Sequence, residues 1–235
     1  MPDSQPLALT PLNRVLCPPL NLVPPNTPPH LFDAAVAHFT SIPWCATLLG
    51  VSASSSLQES SRVCDGAAIP FIPQCFNPLS DRHDQLVGVT LGQNPHALRH
   101  MLCFFRPDDE NHLTDPERPI ARVSALFALG DGLSGYEGVL HGGMAATLMD
   151  ETFGAINELN TALSKAGPLY SASSVTASLD ISFRRPIPDQ GNICITAWVE
   201  SITGRKTVMS CELTGADGKV LTSAKSTWIA LKSKM

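Results

Sequence analysis

From Gly143 to about Leu163 the apolar residues Ala145, Leu148, Met149, Phe153, Ile156 and Leu159 recur at helical spacing. A helix this long and this apolar must be covered on most of its surface. The chain that follows can supply the cover. Val175 to Phe183 alternates, with Val175, Ala177, Leu179, Ile181 and Phe183 expected on one face. Asn192 to Ser201, Lys206 to Thr214 and Lys219 to Leu231 are further strand candidates, the last two joined at Asp217-Gly218, a hairpin signal. Arg122 to Leu129 reads as a strand before the helix, with a glycine-rich loop from Gly130 to Leu140 between them. One strand, one enclosed helix and an antiparallel run make an α+β domain over residues 120–232.

The first half of the chain is less regular. Residues 1–30 form a proline-rich arm, with Pro18-Pro19, Pro24-Pro25 and Pro28-Pro29 favouring an extended backbone. Residues 31–119 read as an N-terminal extension, part helical and part irregular. Leu31 to Leu49 is helical with a break at Pro43-Trp44, and Val51 to Ser61 is a serine-rich loop. Leu86 to Leu91 reads as an added strand, Met101 to Phe105 as a second apolar stretch, and Arg106 to Pro119 as a polar linker. A net charge of −5 leaves no basic excess to grip a nucleic-acid backbone. No apolar run approaches the ~18 residues of a membrane span. The prolines of the arm leave no apolar block of a secretory signal. Seven cysteines without CxxC spacing fit reduced thiols and a cytoplasmic protein.

The helix opens with His141-Gly142-Gly143 and carries Asp150-Glu151 about two turns on. Backbone N–H groups at a helix start are unpaired and carry partial positive charge, so the amides here can hold an oxyanion. A carboxylate can attack a carbonyl or take a proton from water. Together they point to ester or thioester hydrolysis. Gly143 and Asp150 are seven residues apart, about 10 Å along one helix. Both must come within about 3 to 3.5 Å of one carbonyl. One helix cannot do that, whereas two helices related by a twofold can, so a homodimer with two composite sites is expected. His141 either takes part directly or braces the loop through a hydrogen bond. Glu151 is the rival acid, expected to face solvent or a partner cation.

Three other patterns carry less. Gly130-Asp131-Gly132-Leu133-Ser134-Gly135 matches GxGxxG, but no helix opens within it and no βαβ units follow. His96 and His100 lack the glutamate of a zinc-protease helix and read as a surface helix pair, so no metal is expected. There is no GxSxG nucleophile elbow.

The segments Gly135 to Gly143, Asp150-Glu151, and Thr176 to Pro188 (TASLDISFRRPIP) together resemble the hot-dog-fold acyl thioesterases. The branch is the one with HGG, an acid nine residues after the histidine, and a T-x-x-L…RP strand. It includes long-chain acyl-CoA thioesterases and phenylacetate-type members. The resemblance covers residues 120–232. It implies a curved antiparallel sheet wrapped around the central helix, a dimer that in many members pairs into a tetramer, and an active site at the dimer seam. It implies that the Gly143 amide polarises the thioester carbonyl, that Asp150 is general base or nucleophile, and that Thr176 holds the water or the acid. No cofactor is implied. Several relatives carry an asparagine six residues before the histidine, where this chain has Gly135. The substrate implied is an acyl-CoA or an acyl chain on a carrier protein, whose phosphates Arg184, Arg185, Arg205 and Lys206 can meet. Two alternatives stand beside hydrolysis: a hot-dog module that binds acyl thioesters without cleaving them, and a hot-dog dehydratase or hydratase.

Overall fold

The computed structural model describes residues 14–51, 67–77, 84–171 and 173–231. The serine-rich loop expected from Val51 to Ser61, apart from Val51, and the first thirteen residues of the arm lie outside them. The enclosed helix is present as α4, Gly142–Ala162, and buries Leu148, Met149, Phe153, Ile156 and Leu159. Ser164 follows it in the left-handed region, and Lys165 N–H reaches back to the Asn160 carbonyl, which stops the helix.

The sheet is larger than the sequence indicated. Seven antiparallel strands run in the order β1-β2-β3-β7-β8-β9-β6. They are β1 (Ile69–Phe71), β2 (Leu98–Phe105), β3 (Arg122–Leu129), β6 (Ser174–Phe183), β7 (Gly191–Thr203), β8 (Lys206–Thr214) and β9 (Val220–Ala230). A separate hairpin of β4 (Ser134–Tyr136) and β5 (Val139–Leu140) stands inside the expected glycine-rich loop. α4 touches β3, β6, β7, β8 and β9, so the sheet bends around it.

The extension adds β1 and β2 to this sheet and two helices that pack on it. α1 (Leu31–Thr40) and α2 (Pro43–Leu49) meet at the expected Pro43 break, and α1 packs on β2 through the fully buried Phe39. This explains why β3 is buried on nearly every residue from Val123 on, while β8 alternates. β2 and β3 lie between α4 and α1, and β8 has one face in solvent. His38 of α1 stacks on His100 of β2 at 4.6 Å and meets Asn192 of β7 at 3.0 Å.

Several readings are corrected. Leu86 to Leu91 is not a strand: Gln85–Leu91 is a wide helical turn, closed by an i→i+5 bond from Gly92 N–H to the Val87 carbonyl at 2.8 Å. Only Val87 and Gly88 turn inward there, so tertiary contact overrides the β-rich composition. The apolar stretch at 101–105 belongs to β2, so His100 is a strand residue, and His96 lies in the turn before it, bound to Asp131 at 2.7 Å. The stretch expected as a linker contains α3 (Glu110–Thr114), capped by Asp109 and tied to the end of α4 by Lys165, whose ammonium donates to the carbonyls of His112, Leu113 and Asp115.

β6 departs from simple alternation. A bulge between Thr176 and Ser178 shifts its phase. Thr176, Leu179 and Ile181 turn inward, and Val175 and Ala177, expected on their face, turn out. The two sheet edges also differ. The β1 edge is met by the chain's own Leu16, which exchanges two backbone bonds with Ile72. The β6 edge has no neighbour among the described residues.

Candidate functional site

α4 begins where its sequence provides its own cap. His141 is the N-cap, and its Nδ1 accepts the Gly143 N–H at 3.0 Å. Both glycines of the pair are needed for contacts rather than for backbone freedom. A Cβ on Gly142 would stand 3.3 Å from the Phe183 ring, and one on Gly143 would stand 3.0 Å from His141 Cε1. Gly135 of β4 does the same from the other side, since its Cβ would meet His141 Cα at 3.0 Å.

Asp150 sits partly buried on α4 and faces the sheet. Its Oδ1 accepts the Thr176 hydroxyl at 2.8 Å. The bulge in β6 aims Thr176 at this carboxylate. Burial pushes the Asp150 pKa up, and the Thr176 hydrogen bond pulls it back only in part. The result is a carboxylate more basic than a solvated one, held by one hydroxyl.

The rival Glu151 does not face solvent. It turns into the layer formed by residues 74–77 and 84–92, against Cys75, and burial there pushes its pKa up to about 7. Glu158, two turns on, accepts the Gln74 N–H at 2.7 Å and is pushed up by burial to about 8. Glu151 therefore packs against the extension, and Asp150 is the acid directed at the sheet. The sequence missed this acidic pocket because residues 74–92 carry no period that would place them on α4.

The four basic candidates do not converge within one protomer. Arg184 and Arg185 both donate backbone N–H to the Leu221 carbonyl at the start of β9, and their side chains bind Ser223 and Val220. Arg205 binds the Ala230 carbonyl at the far end of β9, beside Lys206. Nine strand residues separate the two places, roughly 30 Å. Among the described residues no group of three or more His, Cys, Asp or Glu side chains could hold a metal. None of the described helices is long and apolar enough to cross a membrane.

His141, Gly142, Gly143, Asp150 and Thr176 all fall inside one region of similarity. Residues 137–222 match the family described as the thioesterase superfamily. Acyl-coenzyme A thioesterase THEM4 of Bos taurus is 32% identical over 102 residues, covering 43% of this chain and 38% of that protein. THEM4 of Xenopus laevis is 36% identical over 112 residues, covering 47% and 46%. The chain thus spans less than half the length of these relatives. The solved structure of conserved protein PA5202 from Pseudomonas aeruginosa is 25% identical, covers 47% of this chain and 81% of its own, and superposes with a TM-score of 0.40.

Proposed function

We propose, taking as premise that residues 137–222 belong to the thioesterase superfamily, that this chain hydrolyses an acyl thioester as a homodimer with two shared sites. The observation that carries the reading is the Thr176–Asp150 hydrogen bond of 2.8 Å, which holds a partly buried carboxylate on the same helix whose start presents Gly143. Asp150 takes a proton from water, and the water oxygen attacks the thioester carbon. The Gly143 N–H steadies the developing oxyanion. The tetrahedral intermediate expels the thiolate, which recovers the proton from Asp150, leaving acid and thiol. Direct attack by the carboxylate, followed by hydrolysis of the anhydride, uses the same atoms.

The open β6 edge supports the twofold. A ten-residue strand with one edge unpaired among the described residues, and with Val175 41% and Phe183 54% exposed, forms a surface that proteins normally cover. The Phe183 end of β6 lies over Gly142, and the Thr176 end lies at Asp150. Antiparallel pairing of two β6 strands about an axis midway between those residues sets the Gly143 end of one protomer against the Asp150 end of the other. The same pairing draws Arg184 and Arg185 of one protomer toward Arg205 and Lys206 of the partner, a composite cradle for phosphates.

An acyl-CoA is the substrate favoured here, because the THEM4 relatives bear that activity in their names. Thiol release from a panel of acyl-CoAs and acyl carrier proteins, followed with a thiol reagent, is the test. Release from one chain-length class is expected. Tight binding without release would leave the non-hydrolytic module standing instead, and loss of water from a 3-hydroxyacyl thioester would favour the dehydratase.

A further inference from the structure

α4 reaches across to the edge strand β6 at two places. Asp150 Oδ1 accepts the Thr176 hydroxyl at 2.8 Å, and Asn157 Nδ2 donates to Ser174 Oγ at 3.2 Å. Gly154 lies between them on the same side of the helix, one turn past Asp150, and is half-buried. Having no side chain, it leaves a slot between helix and strand that runs about 10 Å from Asp150 to Asn157. The indole of Trp228 lines this slot. Trp228 pairs with Thr176 across β9 and β6, and its Cη2 lies 3.5 Å from where a Gly154 Cβ would stand.

Nothing within the protomer requires a glycine here. Gly154 is not among the residues with positive φ. An added Cβ would make only ordinary contacts, at 3.5 Å to Trp228 and 4.0 Å to Glu158 Oε1. The other two glycines of α4 differ, since a Cβ on Gly142 or Gly143 would press on Phe183 or His141 at 3.3 or 3.0 Å. A glycine in a helix interior also weakens the helix relative to alanine. The room over Gly154 therefore serves something from outside the protomer.

We infer that the slot over Gly154 holds the acyl chain of the substrate, and that the missing side chain sets how long and how bulky a chain the site accepts. The inference rests on the hydrolase reading above and names a specificity residue of the same site. The thioester carbon must come within reach of Asp150. One helical turn of ~5.4 Å separates Asp150 from Gly154, about the reach of four methylenes, so the chain meets Gly154 from about its fifth carbon on. The surroundings suit hydrocarbon. The indole gives an apolar wall, and the helix backbone at Gly154 has its polar groups engaged within the helix. Glu158, the carboxyl nearest the slot, spends its other oxygen on the Gln74 N–H and is mostly protonated at neutral pH, because burial pushes its pKa up to about 8. A partner helix seated on the glycine is the competing use of this room.

The test compares wild type with Gly154→Ala and Gly154→Val. Thiol release is followed over saturated acyl-CoAs from acetyl to palmitoyl. Affinity is measured over the matching ketone analogues, which carry a methylene in place of the thioester sulfur. The ratio of kcat/KM for chains beyond six carbons to that for chains of four or fewer is expected to fall about tenfold or more in Gly154→Ala, as when one methylene is crowded out of an apolar pocket. It falls further in Gly154→Val, and the analogue affinities move the same way. The melting temperature of Gly154→Ala holds or rises, so the change cannot be laid to a damaged fold. An unchanged chain-length ratio overturns the inference, as does a wild type confined to chains of four carbons or fewer. Conversion of Gly154→Ala to a monomer in sedimentation also overturns it and gives the room to the partner helix. Failure of the hydrolase reading looks different: wild type then releases no thiol from any acyl-CoA, while the analogue affinities still report on the slot. Absence of binding by every analogue removes both.

Discussion

Replacing Asp150 by Asn separates the chemistry from the fold. The amide is the same size as the carboxylate, and its Oδ1 can still accept the Thr176 hydroxyl that now sits 2.8 Å away. What it loses is the ability to take a proton or attack. Losing a general base lowers turnover by about 10²- to 10⁴-fold, or about 3 to 5 kcal/mol of barrier. Stability should not follow. The Asp150 pKa is raised by burial, so the folded state prefers the protonated form and ionisation at neutral pH works against folding. Asn removes that cost, and the melting temperature of Asp150→Asn at neutral pH is expected to hold or rise. Asp150→Ala also abandons the Thr176 hydroxyl, so it should lose about 1 kcal/mol or more of stability together with activity. The assay pairs thiol release at saturating acyl-CoA with thermal melts on the same samples. Wild-type turnover in Asp150→Asn would remove the carboxylate from the mechanism. A loss of activity matched by a collapse in melting temperature would reduce Asp150 to a structural residue.

Two further outcomes follow from the raised carboxyl groups. Thr176→Val removes the donor that favours ionised Asp150, so its pKa rises further and the acid limb of the kcat profile moves to higher pH; a limb that stays in place contradicts the assigned contact. Glu151 and Glu158 have folded pKa values of about 7 and about 8, above their ordinary 4.5, so the folded state holds their protons more tightly than the unfolded chain. Stability is therefore expected to fall as pH rises from 4.5 toward 8 and to level off above it, and Glu158→Gln should flatten the upper part of that slope in denaturant melts.

The central helix and the strands around it were legible because each is long enough to show its period. α4 was expected from Gly143 to about Leu163 and runs over Gly142–Ala162; β3 and β8 carry the expected bounds. Short elements were not legible. β1 has three residues and β5 two, and both exist through the partners they pair with. Gln85–Leu91 has a strand's composition but takes its helical turn from contacts with the layer over α4. The face of β6 was misread at Val175 and Ala177 because one bulge inverts the phase, and nothing in the local sequence marks it. At the site, Asp150 and Thr176 were named, and the structure joins them. The basic residues were named as one group, yet the antiparallel strands carry them to opposite ends of the sheet. The hidden side of Glu151 depends on a distant segment, which a local reading does not reach.

The shared site is tested most directly by mixing two inactive proteins. Asp150→Asn keeps an intact Gly143, and Gly143→Val keeps an intact Asp150 while its side chain crowds the His141 ring. After the two are unfolded together and refolded, half of the dimers are expected to be mixed, each with one complete site, and thiol release should return to about a quarter of wild type. Activity that stays at the level of the separate variants, in a sample shown to contain mixed dimers, would mean that both groups act within one protomer and that the account is wrong.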